Sequence, residues 1–362
     1  MNDKINSDID EIVKYATAKL NSIEAIFLVG GFGRDEGSLL IHEGNTHVIN
    51  DYDLVIIASE SYKQNTINAL RKELENKLSI RQVDITIYNK QQLRNMGFTM
   101  YSYDLKHASK TIFGSKKILD LMPNMDKTKM PTFEAVRPLL LFPVSLLQAQ
   151  PRRSCLSDID LFWSYQQISK SILGWSTAML IDKGLYDPLY SKRSELFLET
   201  FPDKEYLCKL VKKATSFKLQ PVFEPISKNK IDEFWVQATK AHLEVAEMLL
   251  CKFYSTRKTT LEDFSWAYKN SLRNIIKYIF SFISNIDRTT MIHIELGQLF
   301  LCKSLTSEDH AESKKFFFLA KKEANYITRK PSFPDKENLT DFFLSTNPNS
   351  KNWHKKGNKL SY

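Results

Sequence analysis

Cysteine is scarce and never paired: Cys155, Cys208, Cys251 and Cys302 stand far apart, with no Cys-x-x-Cys spacing. This excludes a disulfide scaffold and any readable structural zinc site, and it predicts buried thiols in a reducing compartment. The seven histidines show no His-Glu-x-x-His or comparable ligand pattern. Long apolar runs are missing too. The most apolar windows, 138–147 and 275–283, are too short to cross a bilayer and are broken by Pro143 and Lys277. Residues 1–11 are polar and acidic, unlike a secretory signal. No internal repeat is present. The expectation is a soluble cytoplasmic protein. Its 362 residues allow two domains with real cores, and a formal net charge of +9 suits an anionic substrate or product.

The informative stretch lies between Ile26 and Asp84. An apolar run, Ile26-Phe27-Leu28-Val29, is closed by Gly30-Gly31-Phe32-Gly33-Arg34, as a buried strand entering a tight turn would be. Gly30, Gly31 and Gly33 allow backbone N–H groups to approach a ligand, and a short helix is expected to begin near Asp35 or Glu36 with its amino end toward a triphosphate. Arg34 and Ser38 would add a forked cation and a hydroxyl to this nucleotide-binding turn. Asp51 and Asp53 follow, two positions apart, so a strand would place both carboxylates on one face. Asp84 lies central in a third apolar run, Val83-Asp84-Ile85-Thr86-Ile87. Closely spaced carboxylates repel unless a cation sits between them, and oxygen-only ligation suits Mg²⁺ or Mn²⁺. Such a set can serve two-metal phosphoryl transfer.

Each element alone is weak. Glycines mark many turns, and an Asp-x-Asp pair is often solvated. The succession of strand, glycine turn, paired acids, helix over 62–78 and a third acidic strand is what carries weight. A dinucleotide-binding fold would instead ask for Gly-x-Gly-x-x-Gly and one acid at a strand end. The segment 42–50, polar and strand-poor, is expected to be an inserted loop.

On Gly30, Gly31, Asp51, Asp53 and Asp84, the first 115 residues or so resemble the DNA polymerase β-type nucleotidyltransferase superfamily. The resemblance implies an α/β (α+β) fold with a nucleotidyltransferase core sheet, followed by a mostly helical domain. It also implies that Asp51 and Asp53 ligate the metals, and that Asp84 ligates the catalytic one and helps deprotonate or orient the attacking hydroxyl. Many members carry Ser directly after the first glycine; here Gly31 stands there, and Ser38 is the nearest hydroxyl.

Prolines and lysines around 123–137 mark the expected linker between a catalytic domain, 1–122, and a helical domain, 138–340, that would complete the cleft. Helices are expected over 158–183, 191–200, 204–217, 231–254, 261–286, 291–303 and 307–328, some with apolar residues at three and four spacing such as Leu161, Tyr165, Ile168, Ile172 and Trp175. Lys106, Lys110, Lys170 and Lys183 are candidates to meet the triphosphate or base. After Asp341 no acidic residue occurs. The tail 341–362 is expected to be flexible and basic, and it ends at Tyr362. Its last dozen residues could reach about 40 Å at roughly 3.3 Å each.

This plan and tail resemble the nucleotidyltransferase of the two-component Hailong antiphage systems. That resemblance implies template-independent synthesis of DNA oligomers from dNTPs, primed by Tyr362. Lys355, Lys356 and Lys359 would hold the growing strand, and a membrane channel effector would be the partner. Two alternatives remain open: transfer of a single NMP to a separate small-molecule, tRNA or protein hydroxyl, and a non-catalytic nucleotide sensor.

Overall fold

The computed structural model describes residues 3–42, 45–49, 51–150, 157–222, 227–256, 260–275, 288–328, 333 and 336–346. The protein is mixed α/β, predominantly helical with small sheets. It divides into two compact units. The first comprises Met1–Pro131, Gly184–Leu196 and Thr215–Phe223; the second comprises Thr132–Lys183, Phe197–Ala214 and Glu224–Tyr362.

The first unit opens with α1 (Asp3–Lys19), β1 (Ile23–Val29) and α2 (Gly30–Gly33), followed by β2 (Leu39–His42), β3 (Asn45–Val48) and β4 (Tyr52–Ala58). It continues with α3 (Gln64–Lys77), β5 (Val83–Tyr88), α4 (Lys90–Arg94), α5 (Met100–Ala108) and β6 (Lys110–Gly114). Four strands form a mixed sheet in the order β5-β4-β1-β6: β4 and β5 run parallel, while β1 is antiparallel to both neighbours.

The sheet is covered on both faces, which explains why its inner strands read as nearly unbroken apolar runs. Leu28, Leu54, Ile56 and Ile85 pack against Ile12, Ala16, Leu70 and Leu74 of α1 and α3. On the opposite face Phe27, Val29, Val55 and Ile57 pack against Leu93 of α4, Leu105 of α5 and Leu119. The buried Val, Leu, Ile and Phe side chains among them each contribute about 1.5–3 kcal/mol through removal from water.

Two local expectations are corrected. The segment 42–50 is not strand-poor: Asn45–Val48 pairs antiparallel with Leu39–His42, forming a two-stranded sheet. Thr46 and Val48 suit a pleated strand despite their polar neighbours, and a paired backbone satisfies its own hydrogen bonds. Nor does a helix begin at Asp35 or Glu36. The helical turn is formed by the glycines themselves, and Asp35 follows in the left-handed region, φ 56°.

The second unit contains α6 (Thr132–Leu141), α7 (Pro143–Ala149) and the long α8 (Asp158–Asp182). Next come α9 (Tyr190–Thr200) and α10 (Glu205–Leu219), each divided between the units, and the long α11 (Lys228–Phe253). The series closes with α12 (Leu261–Ile275), α13 (Arg288–Thr306), α14 (His310–Thr328) and α15 (Lys336–Thr346). The expected helix over 261–286 is described only to Ile275. In this unit His242 on α11 is buried between Ser171 on α8, 2.9 Å from Nδ1, and the Leu139 carbonyl on α6, 3.0 Å from Nε2. A carbonyl only accepts, so Nε2 carries the proton and Nδ1 accepts from the serine. Burial pushes the His242 pKa down to about 4. Among the described residues Cys251 and Cys302 are buried and Cys208 is half-buried, all as free thiols.

Candidate functional site

Strand alternation builds the site. Tyr52, between the two acids, is fully buried; its ring packs on Phe32 at 4.8 Å and its hydroxyl donates to Asp8 Oδ2 at 2.9 Å. Anchoring Tyr52 on one side of the sheet turns Asp51 and Asp53 to the other. Val83 and Ile85 do the same for Asp84. Parallel pairing then sets Asp53 directly opposite Asp84. One carboxylate oxygen from each of Asp51, Asp53 and Asp84 lies within 4.8 Å of the others, and all three residues are half-buried. Gln82 Nε2 donates to Asp84 Oδ2 at 2.9 Å, fixing that carboxylate.

The charges are strongly opposed. Burial, then Asp51 and then Asp84 push the Asp53 carboxyl up to about 8, while Arg34 and Lys218 pull the other way. Three oxygen donors whose joint ionisation is resisted make a set that fits a hard divalent cation such as Mg²⁺ or Mn²⁺.

The glycine turn approaches these acids closely. Gly30 has φ +65°, and a Cβ placed there would lie 2.1 Å from Asp53 Oδ2. At Gly33 a Cβ would lie 2.3 Å from the Leu28 carbonyl oxygen. At these two places the glycines therefore serve packing of the turn against its own sheet. Ser38 is buried: its hydroxyl donates to the Lys218 carbonyl at 2.6 Å and accepts from Lys218 Nζ at 3.1 Å. It therefore orients a lysine rather than standing free beside the turn. The expected helix amino end is replaced by Glu36, whose carboxylate accepts from the Tyr190 N–H at 2.6 Å and from the Ser191 N–H and hydroxyl at 2.9 and 2.7 Å.

That clamp brings in a cationic cluster that spacing along the chain does not reveal. Arg34 Nη1 donates to Asp104 Oδ2 at 2.9 Å, Asp104 Oδ1 accepts from the Tyr186 hydroxyl at 2.7 Å, and the buried Arg34 Nε has no hydrogen-bond partner among the described residues. Lys218, at the end of α10, is lowered in pKa by burial, against the pull of Tyr190, Asp51 and Asp53. Its Nζ would lie 3.5 Å from a Cβ on Gly31. Arg193 completes the group, its guanidinium 4.2 Å from the Tyr190 ring centroid.

Among the candidate lysines, Lys110 pairs with Asp35 at 3.3 Å, and Lys106 donates to the carbonyls of Met122 and Pro123 at 2.9 and 3.0 Å. Lys170 and Lys183 belong to the second unit. Tyr362, Lys355, Lys356 and Lys359 lie outside the described residues.

No protein-family model, no curated protein and no solved structure matches this chain. Among the described residues, no helix is long and apolar enough to cross a membrane. The site itself brings together three carboxylates that could bind a metal ion, with Arg34 and Lys218 near enough to act on Asp53 and with Arg193 beside Tyr190.

Proposed function

We propose that the protein is a metal-dependent nucleotidyltransferase with a nucleotidyltransferase core in its first unit. The carrying observation is the convergence of Asp51, Asp53 and Asp84 beside a glycine turn. Asp51, Asp53 and Asp84 would hold Mg²⁺ or Mn²⁺, which when bound neutralises phosphate charge and acidifies an acceptor hydroxyl. Lys218 and Arg34 bind and orient the triphosphate through charge-assisted hydrogen bonds. Asp84, held by Gln82, takes the proton of the acceptor hydroxyl as its oxygen bonds to the α-phosphorus. The bond from that phosphorus to the β-phosphate oxygen breaks, and pyrophosphate leaves. We further propose Tyr362 as the first acceptor and dNTPs as donors, giving a protein-attached DNA oligomer made without a template. It would act as a signal in antiphage defence, received by a membrane channel effector.

Intact-protein mass spectrometry tests this after incubation with Mg²⁺ or Mn²⁺ and each of the eight common NTPs and dNTPs. The expected result is a ladder of nucleotide additions, absent from Asp51→Ala and Tyr362→Phe. Consumption of nucleotide with an unmodified protein would replace the self-primed reading by transfer to a separate acceptor. No consumption with any donor would count against the enzyme itself.

A further inference from the structure

We propose that Tyr190 is a positioning residue whose ring gathers Arg34, Arg193 and Lys218 into one polyphosphate-gripping cluster; this rests on the reading of the site as a nucleotidyltransferase. Three like charges brought together resist their own assembly. The ring is their common neighbour: Arg193 lies 4.2 Å, Arg34 5.3 Å and Lys218 Nζ 5.6 Å from its centroid. All three distances fall within the roughly 6 Å over which an aromatic quadrupole attracts a cation. Asp104 engages Arg34 through Nη1, while its buried Nε has no partner among the described residues.

A guanidinium stacked on a ring can still donate in its own plane, so ring and anion do not compete for it; Arg193 Nη2 gives one such bond to the Pro188 carbonyl at 3.3 Å. The ring itself is fixed from its backbone, because Glu36 accepts from the N–H groups of Tyr190 and Ser191. Sensitivity to the cluster is visible in the phenol: burial pushes its pKa up, yet Arg193, Arg34 and Lys218 outweigh burial and hold it below the ordinary value. On this proposal the ring gathers the cations, and Tyr190→Phe tests whether the hydroxyl shares in it. Removing the hydroxyl should therefore be tolerated, and removing the quadrupole should not.

Inorganic tripolyphosphate, titrated calorimetrically into the full chain without divalent metal or nucleotide, isolates this cluster from the chemistry of transfer. Tyr190→Phe should bind within about twofold of the native protein. Tyr190→Leu should bind at least about tenfold more weakly, by loss of the ring's hold on several cations. Phenylalanines carrying one, two and three ring fluorines at position 190 keep the shape while draining the quadrupole, and affinity should fall with each fluorine. That graded response is one a merely structural role would not produce, and it stands even where Tyr190→Leu fails to fold. A flat fluorine series, or equal binding by a folded Tyr190→Leu, overturns the role of Tyr190 and leaves the nucleotidyltransferase reading intact. A native protein that builds the nucleotide ladder but does not bind tripolyphosphate also overturns it. Absence of both binding and ladder removes the two together.

Discussion

Replacing Gly30 by alanine should separate stability from function at this site. The residue sits at φ +65°, where an L side chain costs about 1 kcal/mol or slightly more. The new Cβ would meet Asp53 Oδ2 at 2.1 Å and Cγ at 3.1 Å. Ordinary contact begins near 3.4 Å, so the carboxylate oxygen must retreat by about 1.3 Å. Asp53 is a short side chain that can answer by rotating, so the total fold cost should stay at about 1–3 kcal/mol. Displacement of about 1 Å in a reacting group typically costs on the order of 10²-fold in rate. Gly97 provides the matched control, since a Cβ there meets nothing within 4 Å. Gly97→Ala should be neutral or stabilise by up to about 1 kcal/mol. The assay pairs thermal melting with Mn²⁺ binding and nucleotide transfer for both variants. Gly30→Ala should remain folded yet lose Mn²⁺ affinity and nearly all transfer. Native-like Mn²⁺ binding in a folded Gly30→Ala protein would refute the idea that this turn sets the Asp53 carboxylate.

Other outcomes follow from the titrating groups. Burial with Asp51 and Asp84 holds the Asp53 carboxyl up to about 8, so its contribution favours folding below its unfolded value of 3.8 and is lost as pH rises through 8. Metal-free Asp53→Asn should therefore melt above the native protein by about 1–3 kcal/mol near pH 8, with the gap closing toward pH 4; it should also gain no stability from Mn²⁺. A gap independent of pH would contradict this. His242 has the opposite sign: its pKa is depressed from 6.5 to about 4, so its contribution is complete above 6.5 and is lost as pH falls through 4. Urea unfolding should show up to about 3 kcal/mol lost over that interval, with a shallower slope in His242→Gln; parallel slopes would exclude His242 as the source.

The candidate carboxylates were legible because strand alternation and β-branched flanks declare themselves locally. Val83 and Ile85 around Asp84, and Tyr52 between Asp51 and Asp53, leave each acid one side of the sheet to face. The long helices α8 and α11 were legible for the same reason, through apolar spacing. The hairpin of β2 and β3 was not, since Asn45, Thr46 and His47 carry polar side chains and their strand character comes from pairing with Leu39–His42. Arg34 was read as a phosphate ligand from its place after the glycines, but nothing nearby announces Asp104 as its partner. Lys218 and Tyr190 escaped altogether. They meet Ser38 and Glu36 across 180 and 154 positions of chain, and no local periodicity encodes a meeting at that distance.

The return of 184–196 and 215–223 to the first unit has a consequence for how the protein is made and how it can be cut. A nascent chain displays its three carboxylates once residue 84 has emerged, but the ribosome must deliver well over a hundred further residues before Lys218 exists. At about 5–20 residues per second, that interval lasts on the order of ten seconds. Throughout it the acids have no cationic counterpart from α10. A fragment ending at Pro131 keeps the acids and loses Tyr190, Arg193 and Lys218. The first unit is thus not a cassette that recombination can transplant by a single crossover. A working transplant would have to carry all three pieces of chain together.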